Sequence, residues 1–162
     1  MSNETKKGNI MKAIATKAVV PTGRSHVGGF TAFQKSVIQS NPNTRIERIR
    51  NGIDSHLIIS VSDHFKVPRE SIAKIIGLPT STMNRKLKAR SVLSSSESER
   101  LGRIAVIEAE AEEVFGTPEK TKSWMLKNHM TLGNTPLSML DTDIGATEVR
   151  RVLNAIAYGG AA

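Results

Sequence analysis

The apolar residues of this chain recur at helical intervals, and this spacing constrains the fold more than any other feature. In the middle of the chain one such stripe consists of Ile53, Leu57, Ile58, Val61 and Phe65. Spacings of three and four residues are typical of an amphipathic helix, and no segment alternates apolar and polar residues as a half-buried strand does. The sequence therefore predicts an all-α fold.

Proline and glycine indicate where the next two helices begin and end. Pro68 is expected at the first position of a second helix, where its missing N–H is tolerated, and Gly77 is expected to end that helix. Thr80 is then expected to cap a third helix over residues 81–90. Two helices joined by a tight glycine turn form a helix-turn-helix unit.

The second half of the chain repeats these start signals. Ser94 and Glu97 have the spacing of a capping box and predict a long helix that ends at Gly116. A last helix over residues 144–158, capped by Asp141 or Thr142, is expected to bury one apolar stripe. Shorter helical segments are predicted after Thr117-Pro118 and Thr135-Pro136, and the buried stripe comprises Val149, Val152, Leu153 and Ile156.

Residues 1–45 lack a sustained apolar period and contain scattered lysines and glycines. We interpret them as a flexible basic arm, either a protease-sensitive tail or an extension that adds nonspecific DNA affinity. Within it, the helical spacing of Phe30, Phe33 and Val37 favours a short helix, which Asn41-Pro42-Asn43 is expected to end.

The net charge of +8 is unevenly distributed along the chain. Residues 1–40 have six Lys or Arg against one acid, residues 41–95 have ten against four, and residues 96–162 have seven against ten. The basic front half indicates contact with a polyanion, and the acidic rear indicates a different partner. The alternative is a merely solvated basic face.

Several classes of function find no support in the sequence. There is no cysteine, and the histidines (His26, His56, His64 and His129) lack the three- or four-residue interval of a helical metal site. Asp141 and Asp143 precede a helix, where acids favour the positive end of its dipole. Without a phosphate loop or nucleophile-base pair, we expect no enzyme, no cofactor and no metal.

No apolar run approaches the roughly 18 residues of a membrane span, and the first residues do not form an apolar signal core. We expect a soluble, cytoplasmic protein without a membrane partner.

The third helix has the composition of a DNA-reading helix. Met83 and Leu87 stand four apart and face inward, which leaves a polar and basic face. Arg85 and Asn84 are the expected base readers, because Arg pairs with guanine and Asn with adenine in the major groove. The remaining predicted DNA contacts are Ser81, Thr82, Lys86, Lys88 and Arg90, with the three cations placed on phosphates. The alternative is a solvated helix of an ordinary bundle.

The C-terminal block carries the most specific pattern. Residues 134–142 read NTPLSMLDT, and they are followed by Gly145-Ala146, Val149, Val152-Leu153 and Ala157-Tyr158-Gly159. This run resembles that of the Xre/MbcA/ParS antitoxins, the partners of RES-domain toxins. Residues 93–101 and 112–116 resemble the linking helix of that family, and the whole resemblance extends from Ile53 to Gly160, about two thirds of the chain.

The resemblance implies a homodimer that binds operator DNA through the helix-turn-helix and covers the active site of a NAD-consuming RES-domain toxin. With the arm (1–45), which the resemblance leaves unexplained, the chain divides into three regions: the arm, a DNA-binding and dimerisation domain with the linking helix (46–116), and a toxin-binding helical domain (117–162). The residues it places against the toxin are Arg150, Arg151 and Tyr158, and Gly159 next to Tyr158 is included with them. From the residues alone, Trp124 and Tyr158 are each either core or interface residues. The alternative function is a free-standing helix-turn-helix transcription regulator.

Overall fold

The computed structural model describes residues 29–159, and the prediction of an all-α fold is confirmed there. Within this range a single antiparallel bridge, between Asp54 and Val92, is the one β-type contact. The helices are α1 (Gly29–Gln39), α2 (Pro42–Asn51), α3 (Leu57–Phe65), α4 (Arg69–Ile75), α5 (Thr80–Ala89), α6 (Ser95–Phe115), α7 (Pro118–Leu126), a 3₁₀ helix (Leu137–Asp141) and α8 (Asp143–Ala157).

The long helix α6 is the centre of the fold. Its 21 residues extend over roughly 30 Å, and α1, α2, α7, α8 and the 3₁₀ helix all pack against it. Leu101, Ile104 and Ile107 on α6 are completely buried. One helix therefore contributes to the core beneath both halves of the chain, and it fixes the elements of the C-terminal half relative to the helix-turn-helix.

The prediction of a flexible arm through residue 45 is wrong for its second part. The short helix expected around Phe30 is confirmed as α1, and Phe30, Phe33 and Val37 are buried in the common core. Gln34 also donates to the carboxylate of Glu108 at 3.1 Å and so ties α1 to α6. Three buried apolar side chains bury enough area to fix this helix. Residues 1–28 of the predicted arm lie outside the described residues.

Helix α2 was not predicted. The sequence predicts only that Asn41-Pro42-Asn43 ends the preceding helix, but in the structure the segment also begins a new helix. The Asn41 side chain accepts a hydrogen bond from the Thr44 N–H at 2.9 Å, and Pro42 occupies the first helical turn. The same residues that stop one helix thus satisfy the start of the next.

The predicted helix starts in the second half are confirmed where a side chain caps the backbone. Ser94 and Glu97 form the expected capping box, and Thr117 accepts from the Lys120 N–H. Of the two candidate caps for α8, Thr142 is the one that accepts, from the Gly145 N–H at 3.0 Å. Gly116 ends α6 in the left-handed conformation, as its position predicts.

Four local predictions are wrong. Pro68 is not the first residue of α4; it precedes the helix, which begins at Arg69. Thr80 does not cap α5; it is the first helical residue, and Pro79 precedes it without a side-chain cap bond. Ile53 lies before α3 in an extended segment, where its carbonyl accepts from the Leu93 N–H at 2.8 Å. Ile156 is 41% exposed and does not belong to the buried stripe of α8, because α8 leaves the core before its last turn.

Among the residues that the structure describes, no helix combines the length and the apolar composition needed to cross a membrane.

Candidate nucleic-acid interface and partner surface

The turn between α4 and α5 is held rigidly against α6. Gly77 adopts φ +75°, and the Leu78 N–H donates to the Ala73 carbonyl at 2.8 Å. The guanidinium of Arg100 donates to the Ile76 carbonyl at 3.1 Å and occupies the space that a side chain at position 77 would need. The left-handed backbone conformation of residue 77 therefore favours glycine, and the hydrogen bond from Arg100 ties the turn to α6.

Helix α5 is anchored by one residue and exposes most of the others. Met83 is 1% exposed and Leu87 is half-buried, so the inward positions of the predicted recognition helix are confirmed. Thr82 is half-buried at the edge of this face. The exposed predicted DNA contacts are Ser81, Asn84, Arg85, Lys88 and Arg90.

The exposed cations of α5 are available to an anionic ligand. Arg85, Lys88 and Arg90 form no ion pair with any other described residue. Arg90 ends the helix in the left-handed conformation, at φ +49°. Because the helix presents these charges outward on a fixed turn, its surface has the charge and rigidity that contact with phosphates requires.

Lys86 differs from its neighbours. Its ammonium donates to the Val92 carbonyl at 2.9 Å and lies 3.5 Å from the carboxylate of Glu97. Its side chain is only 19% exposed. The structure therefore places Lys86 in a contact that joins α5 to the start of α6, and does not group it with the exposed cations.

In the C-terminal half, Trp124 is half-buried and packs between two rings. Its centroid lies 5.3 Å from that of Phe115 and 6.2 Å from that of His129. The indole Nε1 of Trp124 and the Nδ1 of His129 are buried without a hydrogen-bond partner among the described residues. Trp124 thus links α7 to the end of α6 and to the segment that follows α7.

A cleft of about 460 Å³ lies between the end of α6 and the end of α8. Arg150 crosses it and donates to Glu110 at 2.9 Å, while Tyr158 is 80% exposed at its rim. Glu113 also lines the cleft, is exposed and forms no ion pair within residues 29–159. The cleft is consequently polar and lined by more acids than bases.

The structure brings only part of the predicted partner-binding set together. Arg150 and Tyr158 line the same cleft, and Gly159 follows Tyr158 directly at φ +73°. Arg151 does not line the cleft and pairs instead with Glu148 at 3.2 Å. Trp124 does not line the cleft either. Its ring packs on Phe115, and the residue before Phe115, Val114, lines the cleft.

Arg103 is a residue that the sequence analysis missed. Its guanidinium donates to the Leu140 carbonyl at 3.1 Å, to Glu99 at 2.8 Å and to Asp143 at 2.6 Å. Its side chain is only 8% exposed, so α6 is joined to both the 3₁₀ helix and the start of α8. Arginines are common on exposed helical surfaces, and nothing in the local sequence distinguishes this one.

Within residues 29–159 no cluster of three or more His, Cys, Asp or Glu has the arrangement to hold an ion. His64 of α3 contacts Glu108 of α6, and Asp143 lies in the first turn of α8 beside Arg103. His26 lies outside the described residues.

Two family models match the chain. One, the antitoxin Xre-like helix-turn-helix domain, matches residues 44–106. The other, the antitoxin Xre/MbcA/ParS C-terminal toxin-binding domain, matches residues 110–159. The two matches meet inside α6, before the domain boundary that we predicted at residue 116, and the cleft lies wholly within the second match.

Curated relatives agree with these models. Antitoxin Xre of Pseudomonas putida is 40% identical over 83 residues, which are 51% of this chain and 52% of that protein. Antitoxin Xre of Photorhabdus laumondii is 27% identical over 144 residues, 80% of this chain and 96% of that protein. The Prs ADP-ribosylating antitoxin of Sphingobium sp. is 27% identical over 135 residues, 77% of this chain and 85% of that protein.

The chain spans about half the length of the Pseudomonas relative and most of the length of the other two. Together the two family models cover both the helix-turn-helix and the C-terminal cleft. The chain therefore belongs to the Xre/MbcA/ParS family of antitoxins.

Proposed function

We propose that this antitoxin neutralises a RES-domain toxin through the surface around the Tyr158 cleft and binds operator DNA through α5. The observation that carries the proposal is that two different kinds of exposed group lie in two different regions of the chain. The unpaired cations of α5 lie in the region matched by the helix-turn-helix model, and the exposed Tyr158 lies in the region matched by the toxin-binding model.

The nature of the toxin follows from two lines of support. The motif of residues 134–159 resembles antitoxins whose partners are RES-domain proteins that consume NAD. The name of the Sphingobium relative joins an antitoxin to ADP-ribosylation, a reaction that also consumes NAD. We therefore infer that the toxin partner acts on NAD and that this chain covers its active site.

Tyr158, Gly159 and Arg150 are the proposed contacts at that active site. Tyr158 exposes 80% of its surface at the end of α8, and an aromatic ring is a frequent anchor of a protein interface. Gly159 leaves the adjacent backbone without a side chain. Arg151 and Trp124 lie outside the cleft and are proposed as contacts at its margin.

On the DNA side, Arg85 and Asn84 are proposed to read bases, and Lys88 and Arg90 to bind phosphates. Ser81 and Thr82 at the start of α5 are proposed to contact the DNA backbone. As a homodimer, the protein would bind half-sites separated by about 34 Å or a multiple of it. Binding of the operator would repress the transcription of the antitoxin's own operon.

In this proposal the antitoxin performs no chemistry and needs no cofactor, since neutralisation follows from occlusion and repression from DNA binding. Activity of the purified chain on NAD or DNA would contradict it.

The test is co-expression with the product of the adjacent gene, scored by growth and by cellular NAD. The wild-type chain is expected to restore both, and a Tyr158→Ala, Arg150→Ala double variant is expected to lose the rescue. Both residues are exposed, so the double variant should keep the helical content and melting temperature of the wild type. Absence of toxicity in the adjacent product would instead favour the free-standing transcription regulator.

A further inference from the structure

The segment between α7 and the 3₁₀ helix is a closed turn. The His129 N–H donates to the Asn134 carbonyl at 3.1 Å, and the His129 carbonyl accepts from the N–H groups of Leu132 and Gly133 at 3.1 and 2.9 Å. Gly133 completes the turn at φ +68°. These hydrogen bonds give the backbone of residues 129–134 one defined conformation.

This turn presents an apolar side chain to solvent. Met130 is 100% exposed, and Leu126 at the end of α7 is 36% exposed. A single exposed apolar residue needs no explanation by itself. Here, however, the exposed side chain stands on a hydrogen-bonded turn, four residues after a second exposed apolar residue, within the segment matched by the toxin-binding model.

A chain of contacts connects the turn to the Tyr158 cleft. The His129 ring packs on Trp124, and Trp124 packs on Phe115 at the end of α6. The preceding residue, Val114, lines the cleft together with Tyr158. The turn that carries Met130 is therefore packed, through these rings, against the same end of α6 that lines the cleft.

Ile144 is 80% exposed, as Tyr158 is, but it lies at the opposite end of α8. Thirteen residues of α8 lie between it and Tyr158, so the two are about 21 Å apart along the helix. Ile144 is next to Asp143, which binds Arg103, and so belongs to a different part of the surface. It offers a matched control for the effect of an exposed apolar residue outside the cleft region.

We propose that Met130, supported by Leu126, inserts into an apolar depression of the toxin and forms a second anchor beside Tyr158. This inference rests on the proposed function, since it names a further contact of the same toxin. The thioether of Met130 is unbranched and adapts to an irregular pocket. The packing of His129 on Trp124 positions the turn that carries Met130.

The test measures the affinity of the purified full-length antitoxin for the product of the adjacent gene by calorimetry. Met130→Glu is expected to weaken binding by about ten-fold or more, because a carboxylate cannot enter an apolar pocket without losing its hydration. Met130→Leu should stay within about three-fold of the wild type. Ile144→Glu, the matched control, should bind like the wild type.

Each result has one meaning. If the wild-type chain does not bind the adjacent product, the proposed function fails and the inference with it. If the wild type binds and Met130→Glu binds equally well, the inference alone is overturned. Equal weakening by Ile144→Glu would also overturn it, because the effect would then be one of charge and not of position. Thermal melting of each variant, expected to match the wild type, confirms that an exposed turn was changed without loss of the fold.

Discussion

The guanidinium of Arg103 donates to the carboxylate of Asp143 at 2.6 Å and thereby ties the middle of α6 to the first turn of α8. The two residues fall in different family matches, so this contact joins the part matched by the helix-turn-helix model to the part matched by the toxin-binding model. It gives the proposed toxin surface a fixed position relative to α5.

We expect Arg103→Ala to lower the free energy of unfolding by about 1 to 3 kcal/mol. In this variant the packing of the arginine stem and its hydrogen bond to the Leu140 carbonyl are lost. The loss is limited because Glu99 is partly exposed and Asp143 is largely exposed, so both carboxylates regain hydration. Urea unfolding measures the change. Arg151→Ala, which removes an exposed pair, should stay within about 0.5 kcal/mol of the wild type; equal losses in the two variants would contradict this role of Arg103.

Gly145→Ala is expected to be destabilising by about 1 to 3 kcal/mol. A Cβ at this position would lie 2.9 Å from the carbonyl carbon of Met139 and closer still to its oxygen, so the 3₁₀ helix or α8 must shift. The matched control is Gly102→Ala on α6, where nothing lies within 4 Å and alanine favours the helix. Thermal melting should separate the two variants in opposite directions; a neutral Gly145→Ala would show that the contact is relieved at no cost.

Arg85→Ala is expected to reduce affinity for the operator by roughly 1 to 3 kcal/mol and to relax specificity at one base pair. Lys88→Ala should instead weaken binding to all sequences similarly and lower the salt slope by about 1. Fluorescence anisotropy on operator and random duplexes at several salt concentrations measures both. An equal loss on random DNA for the two variants would remove Arg85 from the base readers.

Lys86→Ala should act on stability more than on DNA binding. Its ammonium binds the Val92 carbonyl and lies beside Glu97, so we expect a loss of about 0.5 to 1.5 kcal/mol in unfolding free energy. Lys88→Ala, at an exposed position of the same helix, should unfold like the wild type. If Lys86→Ala keeps full stability and lowers DNA affinity as much as Lys88→Ala, the lysine serves as a phosphate contact after all.

The sequence by itself determined the features whose hydrogen bonds join near neighbours. The Ser94 and Glu97 box, the Thr117 cap and the Gly116 stop were all predicted, because each depends on residues within one helical turn. Helix α5 was predictable for the same reason, since Met83 and Leu87 stand four apart and leave the cationic face outward.

Only the tertiary structure decided which side chains are buried or paired and which are exposed. Phe33 is predicted within the arm, and only the packing of α1 on α6 shows that it is buried. Lys86 is predicted on the outward face of α5, and only the structure shows its ammonium in contact with Val92 and Glu97. Arg103 gave no local signal because its ion pair is with Asp143, forty residues away, and the full exposure of Met130 depends on which segments pack near it. Burial and pairing are set by segments distant in sequence, and a local pattern does not specify which segments those are.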